Sequence, residues 1–149
     1  VATRRERILG EFIARLQKVR VEGGYATDAG EEILLGQVVA LGPDDPAVVI
    51  AVVPGDDRPQ FQGVGNFISW PIEVQGVAGA ELDHAWLMVE AVVGDIKRAI
   101  ETDDRTLGGL VSRTIERGVT RVLPREPGVD IVGAGVTYLV PYVESWGQP

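Results

Sequence analysis

The chain has 149 residues, 45% of them hydrophobic, with a formal net charge of −8 and no cysteine. That length and apolar content suit one domain, residues 1–149, around one core. The charge would repel a phosphate backbone or an anionic bilayer, which argues against groove binding to nucleic acid and against membrane docking, and the lack of cysteine removes disulfides, thiolate zinc sites and cysteine nucleophiles.

The same repulsion has a use, because an acidic channel lets a nucleic acid slide through without sticking. A chain without cysteine fits a reducing compartment, or a particle assembled in one. No apolar run approaches the roughly 20 residues needed to span a bilayer. The opening VATRRERILGEFIARL is basic, but Glu6, Gly10, Glu11 and Arg15 interrupt its apolar positions, so it does not read as a signal peptide.

Ile8, Phe12, Ile13 and Leu16 fall at helical spacing and Thr3 can cap them, which predicts a first helix over residues 3–19. Gly23 and Gly24 would stop it. Two apolar runs follow, ILLGQVVAL and AVVIAVV, separated by the turn composition GPDDP. The second run reads as a buried strand; the first fits a strand or a helical turn. Residues 56–66, DDRPQFQGVGN, read as a long polar loop, near the length at which loops tend to carry function.

FISWPIEVQGVA then alternates, with Ile68, Trp70, Ile72 and Val74 on one side, as in a half-buried strand. Pro71 lacks an amide donor and favours an edge or a bulge. In the second helix, capped by Asp83, the stripe is Trp86, Val89, Val93, Ile96 and Ile100, and the helix ends near Thr102. LVSRTIERGVTRV reads as a strand with a bulge at Gly118. Its facing stays open, since its odd positions mix valine and isoleucine with Arg113, Arg117 and Arg121. The last strand puts Val132, Ala134, Val136, Tyr138, Val140 and Tyr142 on one face. This order predicts an α+β fold: an antiparallel or mixed β-sheet, two α-helices packed on one face, and a long loop between central strands.

Chemistry-bearing residues are few. His84 is the only histidine, and none of the three serines, Ser69, Ser112 and Ser145, sits in a nucleophile elbow, so a hydrolase triad is not expected. The pairs Asp44–Asp45, Asp56–Asp57 and Asp103–Asp104 lack the fixed oxygen spacing of a calcium loop and read as solvated turns. The glycines at 63 and 65 precede a strand rather than a helix, unlike a phosphate loop. No catalytic, metal or cofactor residue is nominated. The 56–66 loop is different, because arginine beside an exposed aromatic is the composition of a contact patch. Asp56, Asp57, Arg58, Gln60 and Phe61 are therefore candidate interface residues, against the alternative that Phe61 folds back onto the sheet. Trp146, past the last strand, docks either on its own domain or on a neighbour.

A basic first helix, GGYATDAG at residues 23–30, a helix carrying WLMVEAVVGDIKRAI, then DDRTLGGLVSRTIERG and a closing VTYLVPYVES occur in that order. The series resembles the tail terminator proteins (minor tail protein U-like) of long-tailed bacteriophages and related gene transfer particles, over nearly the whole chain. Its motifs are soft ones: a Tyr-x-Thr-Asp-x-Gly turn, a TLGGL step and a Tyr-x-x-x-Tyr final strand. The resemblance implies a ring, usually of six copies, that caps the head-proximal end of the tail tube in the virion. The ring would be assembled in the bacterial cytoplasm. Its partners would be other copies, the major tail tube protein and the head–tail connector, with DNA passing through the lumen unbound.

For GGYATDAG two readings stand together. In one, the glycines end the first helix, Tyr25 pins the chain to the sheet edge, and Asp28 caps a short helical turn with Glu31 three residues on. In the other, residues 25–30, with Tyr25, Thr27 and Asp28, lie at a subunit boundary. The rivals to a terminator are a head–tail connector or completion protein, a tail tube subunit, a small enzyme and a ligand-binding module.

Overall fold

The computed structural model describes residues 2–38, 40–42, 44–62, 65–125 and 127–149, with only the backbone of 60–62. Helix α1 (Arg4–Leu16) starts in a capping box: Thr3 Oγ1 accepts from the Glu6 amide at 3.1 Å, and the Thr3 amide donates to Glu6 Oε2 at 2.6 Å. It buries Ile8, Phe12 and Leu16. The helix ends before Gly23, earlier than predicted. From Lys18 the amides bond three residues back, to Arg15 and Leu16, which tightens the last turn. Gly24, at φ +91°, closes the separate 3-10 turn Val21–Gly23.

The sheet comprises β1 (Ile33–Leu35), β2 (Val48–Pro54), β3 (Arg58–Gln62), β4 (Gly65–Gly79), β5 (Glu116–Val122) and β6 (Ile131–Ser145). Its order is β1-β2-β4-β6-β5, and β3 also pairs with β4. Only β1 and β2 run parallel; the other pairs are antiparallel, so the sheet is mixed and the fold is α+β. The run ILLGQVVAL yields only the three-residue β1, and Val39 within it lies outside the described residues.

The predicted long loop at 56–66 is largely a hairpin. β2 covers β4 only from Ile72 to Ala78, leaving the first part of β4 free on that side. β3 pairs there, from Arg58↔Ser69 to Gln62↔Gly65. Pro71 accordingly lies in a central strand, not at an edge. Its carbonyl accepts from the Gly55 amide at 2.8 Å, so its missing donor faces the break between β2 and β3, where no ladder bond is lost.

Helix α2 (Ala85–Glu101) packs with α1 on one face of the sheet. The core they close includes Ile68, Trp70, Ile72 and Val74 from β4, and all six predicted inward residues of β6. Phe12 meets Tyr138 edge-on at 6.0 Å between ring centroids, and Trp70 meets Tyr142 at 6.2 Å. α2 rides close: a Cβ on Gly76 would lie 2.8 Å from Val92 Cγ1. Two details of α2 differ from expectation. Its cap position is His84, at φ +58° and without a side-chain cap bond, rather than Asp83. Trp86 is 44% exposed, and the small Ala85 takes the inward place at the first turn.

β5 starts at Glu116, not Leu110. A register shift between Arg117 and Thr120 places Gly118 in an irregularity, as anticipated, and changes the phase of the strand. Arg117 lies opposite Tyr138, and its Nε is 3.4 Å from Glu101 of α2. Arg121 lies opposite Gly135, on the other face, and its guanidinium holds Glu73 with two bonds of 2.6 and 2.9 Å. The mixed odd positions of the sequence thus serve both faces.

The second face is partly covered. Val38, Val49, Ala51 and Val77 are buried there, with Leu34, Leu41, Val53, Leu123 and Ile131 packed around them. Next to them sit Glu73 and Gln75. Burial pushes the Glu73 carboxyl up, but bonds from Arg121 and Gln75, with the charge of Arg121, outweigh it and leave the group below 4.5. A folded-state value below the unfolded one means that the unfolded chain takes up the proton first. The stability from this carboxylate is then present above the unfolded value and lost as pH falls through the folded one. Urea unfolding at descending pH should therefore show a steeper acid loss in wild type than in Glu73→Gln. Equal slopes would remove Glu73 from the account.

Candidate functional site

GGYATDAG folds as a clamp against α2. Asp95 is buried in the inner stripe of that helix, 4% exposed. Its carboxylate accepts from the Ala26 amide at 2.9 Å, the Thr27 amide at 2.9 Å and Thr27 Oγ1 at 2.7 Å. A carboxylate so enclosed persists only with such donors. Arg98, one turn on, donates to the Gly24 carbonyl, and its guanidinium lies 4.9 Å from the centroid of the Tyr25 ring. Tyr25 therefore packs on a helix, not on the sheet edge. The 3-10 turn Ala29–Glu31 is present with Asp28 at its cap position, but the Asp28 side chain makes no cap bond and accepts from the Val21 amide at 2.8 Å.

Gly30 completes the clamp. Its amide donates to the Val19 carbonyl at 2.9 Å. A Cβ there would lie 2.5 Å from the Leu16 carbonyl oxygen and 2.6 Å from that of Val19. Only glycine lets the backbones approach so closely. On the other side of the helix pair, Arg15, 5% exposed, donates to the carbonyls of Ile100 and Asp104 and to Glu11. This serves the Ile100 carbonyl in the last turn of α2 and ties the helix end to the turn at Asp104.

The TLGGL step is also built on positive φ: Leu107 at +52°, Gly108 at +67° and Gly109 at +86°. Asp104 accepts from the Thr106 amide, Thr106 Oγ1 and the Gly108 amide. These bonds, those of Thr106 foremost, hold its carboxyl below the ordinary aspartate value. Leu107 is buried in the core, which offsets the roughly 1–2 kcal/mol of a left-handed non-glycine.

The candidate interface residues fall into two groups. Tyr25, Thr27 and Asp28 belong to the clamp. Asp56, Asp57 and Arg58 lie at the corner leading into β3, where Asp57 pairs with Arg5 at 3.1 Å and Arg5 stacks 4.0 Å over the Trp70 ring. Asp56 and Arg58 are exposed. Gln60 and Phe61 are paired as backbone with Phe67 and Asn66, and their side chains lie outside the described ones. Trp146 is 65% exposed just past β6, at the sheet end that the register shares with Gly65. Nearby, Tyr142 is fully buried, and its hydroxyl is pushed up to about 12, chiefly by burial.

Among the described residues, no group of three or more His, Cys, Asp or Glu is placed to hold a metal, and no helix is long and apolar enough to cross a membrane. His84 is exposed. Of the candidate phosphate loop, residues 63 and 64 lie outside the described set. An open groove of about 220 Å³ lies between Phe67, Ser69, Arg113, Leu139 and Pro141. No protein-family model and no curated protein matches the chain.

Proposed function

We propose that the chain is a structural subunit of a long-tailed bacteriophage or gene transfer particle: a tail terminator that closes into a ring. By resemblance the ring has six copies and sits at the head-proximal end of the tail tube. It stops tube polymerisation and offers the surface on which the head connector docks, while DNA passes through an acidic lumen. The observation that carries the reading is the ordered series of motifs over nearly the whole chain. The α+β fold supports it, since those motifs fall on successive elements of one sheet and two helices. The clamp gives GGYATDAG a structural task, as a ring subunit without an active site would require.

The test is to add the chain to polymerising tail tube protein of the same particle and measure tube lengths by electron microscopy. Arrest of growth, with added density at one tube end, is expected. Unchanged lengths would refute the terminator role, and incorporation along the tube would make the chain a tube subunit.

A further inference from the structure

Two exposed surfaces have no task within the fold. The first is the start of α2, where Trp86 and Leu87 are 44% and 67% exposed on a regular helix. Spacing alone places Trp86 in the core stripe, but Ala85 takes that place and the indole is left half in solvent. Glu90 stands one turn after Trp86 on the same side of the helix, and Asp83 lies just before the helix. Both are exposed and make no ion pair among the described residues. The cations of α2, Lys97 and Arg98, come two turns later, and Arg98 is engaged with Gly24. Glu81 lies apart, in an opening it shares with Arg125.

The second surface is on the sheet face away from the helices. The cluster of Val38, Val49, Ala51 and Val77 covers one end of that face. At the other end Phe67, Ser69, Leu139 and Pro141 line the open groove of about 220 Å³. The Arg113 guanidinium lies 5.5 Å from the centroid of the Phe67 ring, and Arg58 stands opposite Ser69 on the same face. Neither arginine has an ion pair among the described residues. Glu116 also lines the groove, so two guanidiniums stand there against one carboxylate. Glu73 and Arg121, further along this face, pair with each other.

These surfaces cannot meet within one copy. The end of α2 reaches Tyr138, which pairs with Ile72, and Val92 lies over Gly76. The start of the helix therefore lies toward the Gly79 end of β4, on the helix-bearing face. Phe67 is near the other end of β4 and on the other face.

We propose that the start of α2 in one copy docks in this groove on the next. Trp86 would enter the groove beside Phe67, Leu139 and Pro141, while Glu90 and Asp83 would meet Arg113 and Arg58. An aromatic anchor in an apolar recess with charge pairs at its rim is the usual make-up of an energetic hot spot. Opposite charges fix the orientation and disfavour other pairings. The contact joins two different surfaces, so it is head-to-tail and closes a ring when the rotation per copy allows it. The inference rests on the ring reading above and supplies its interface.

The test measures native mass against concentration for wild type, Trp86→Ala, Glu90→Arg and Arg113→Glu. Each variant should keep the wild-type urea midpoint, since the side chains replaced are exposed; where a reversal shifts it, Glu90→Gln or Arg113→Gln takes its place. Each single variant should need about tenfold more protein to assemble. The double variant Glu90→Arg/Arg113→Glu restores opposite charges across the joint and should assemble like wild type. Raised salt should weaken wild-type assembly. Single variants that assemble like wild type would overturn the contact and leave the ring standing. A double variant as impaired as the singles would also overturn it. A wild-type chain that remains monomeric at every concentration would overturn both the contact and self-assembly of the ring.

Discussion

Gly30→Ala is expected to destabilise the fold by about 3 kcal/mol or more, from an overpacked site that also strains a buried backbone bond. The added Cβ would lie 2.5, 2.6 and 2.9 Å from the Leu16 carbonyl, the Val19 carbonyl and the Val19 amide nitrogen. All three are backbone atoms, so no rotamer change can make room. Moving residues 29–31 away would stretch the 2.9 Å bond from the Gly30 amide to Val19. Alanine also restricts the unfolded chain, which stabilises by only about 0.4–1 kcal/mol, so the clash wins. The measurement is the urea midpoint at unchanged slope. Gly10→Ala is the control of opposite sign. Nothing lies within 4 Å of its Cβ position, and it sits inside α1. It should stabilise by about 0.5–1 kcal/mol. A Gly30→Ala variant as stable as wild type would rule out the close approach.

Asp95→Ala should cost a comparable amount, about 3 kcal/mol, because it strands two amides and a hydroxyl that the carboxylate now satisfies. Asp95→Asn keeps the shape and one acceptor oxygen and should cost about half as much. Thr27→Val removes one of the three donors. Combined with Asp95→Ala it should cost less than the sum of the two, since the pair shares a bond. Amide exchange at Ala26 and Thr27 reports the same contact locally and should speed up in Asp95→Ala. A neutral Asp95→Ala would mean that the clamp does not hold residues 23–30 to α2.

Periodicity carried the reading where side chains alternate between core and solvent. β4 from Ile68 to Val74 and β6 from Val136 to Tyr142 show this, and their inward residues are buried as predicted. It failed where partners rather than pattern decide. Residues 58–62 have loop-like composition, yet they form β3 because β4 outruns β2 and offers free backbone groups. The phase change of β5 could not be placed from alternation alone, since the register slips by one residue between Arg117 and Thr120, where Gly118 and Val119 stand against Thr137 alone. The clamp left a signal that was legible but unused. Asp95 lies three residues after Val92 and four before Ala99, on the buried stripe of α2. A carboxylate in that position announces buried donors elsewhere in the chain. Arg15, between Phe12 and Leu16 in α1, is the same signal with opposite charge. Which donors or acceptors they find depends on tertiary packing, and local spacing does not encode it.

The most direct test of the central claim, that copies of this chain close into a ring, is native mass by light scattering across a wide range of protein concentration. One discrete species is expected, near six subunits by the resemblance, that grows no further as concentration rises. A monomer at every concentration, or polymers that lengthen without limit, would contradict it.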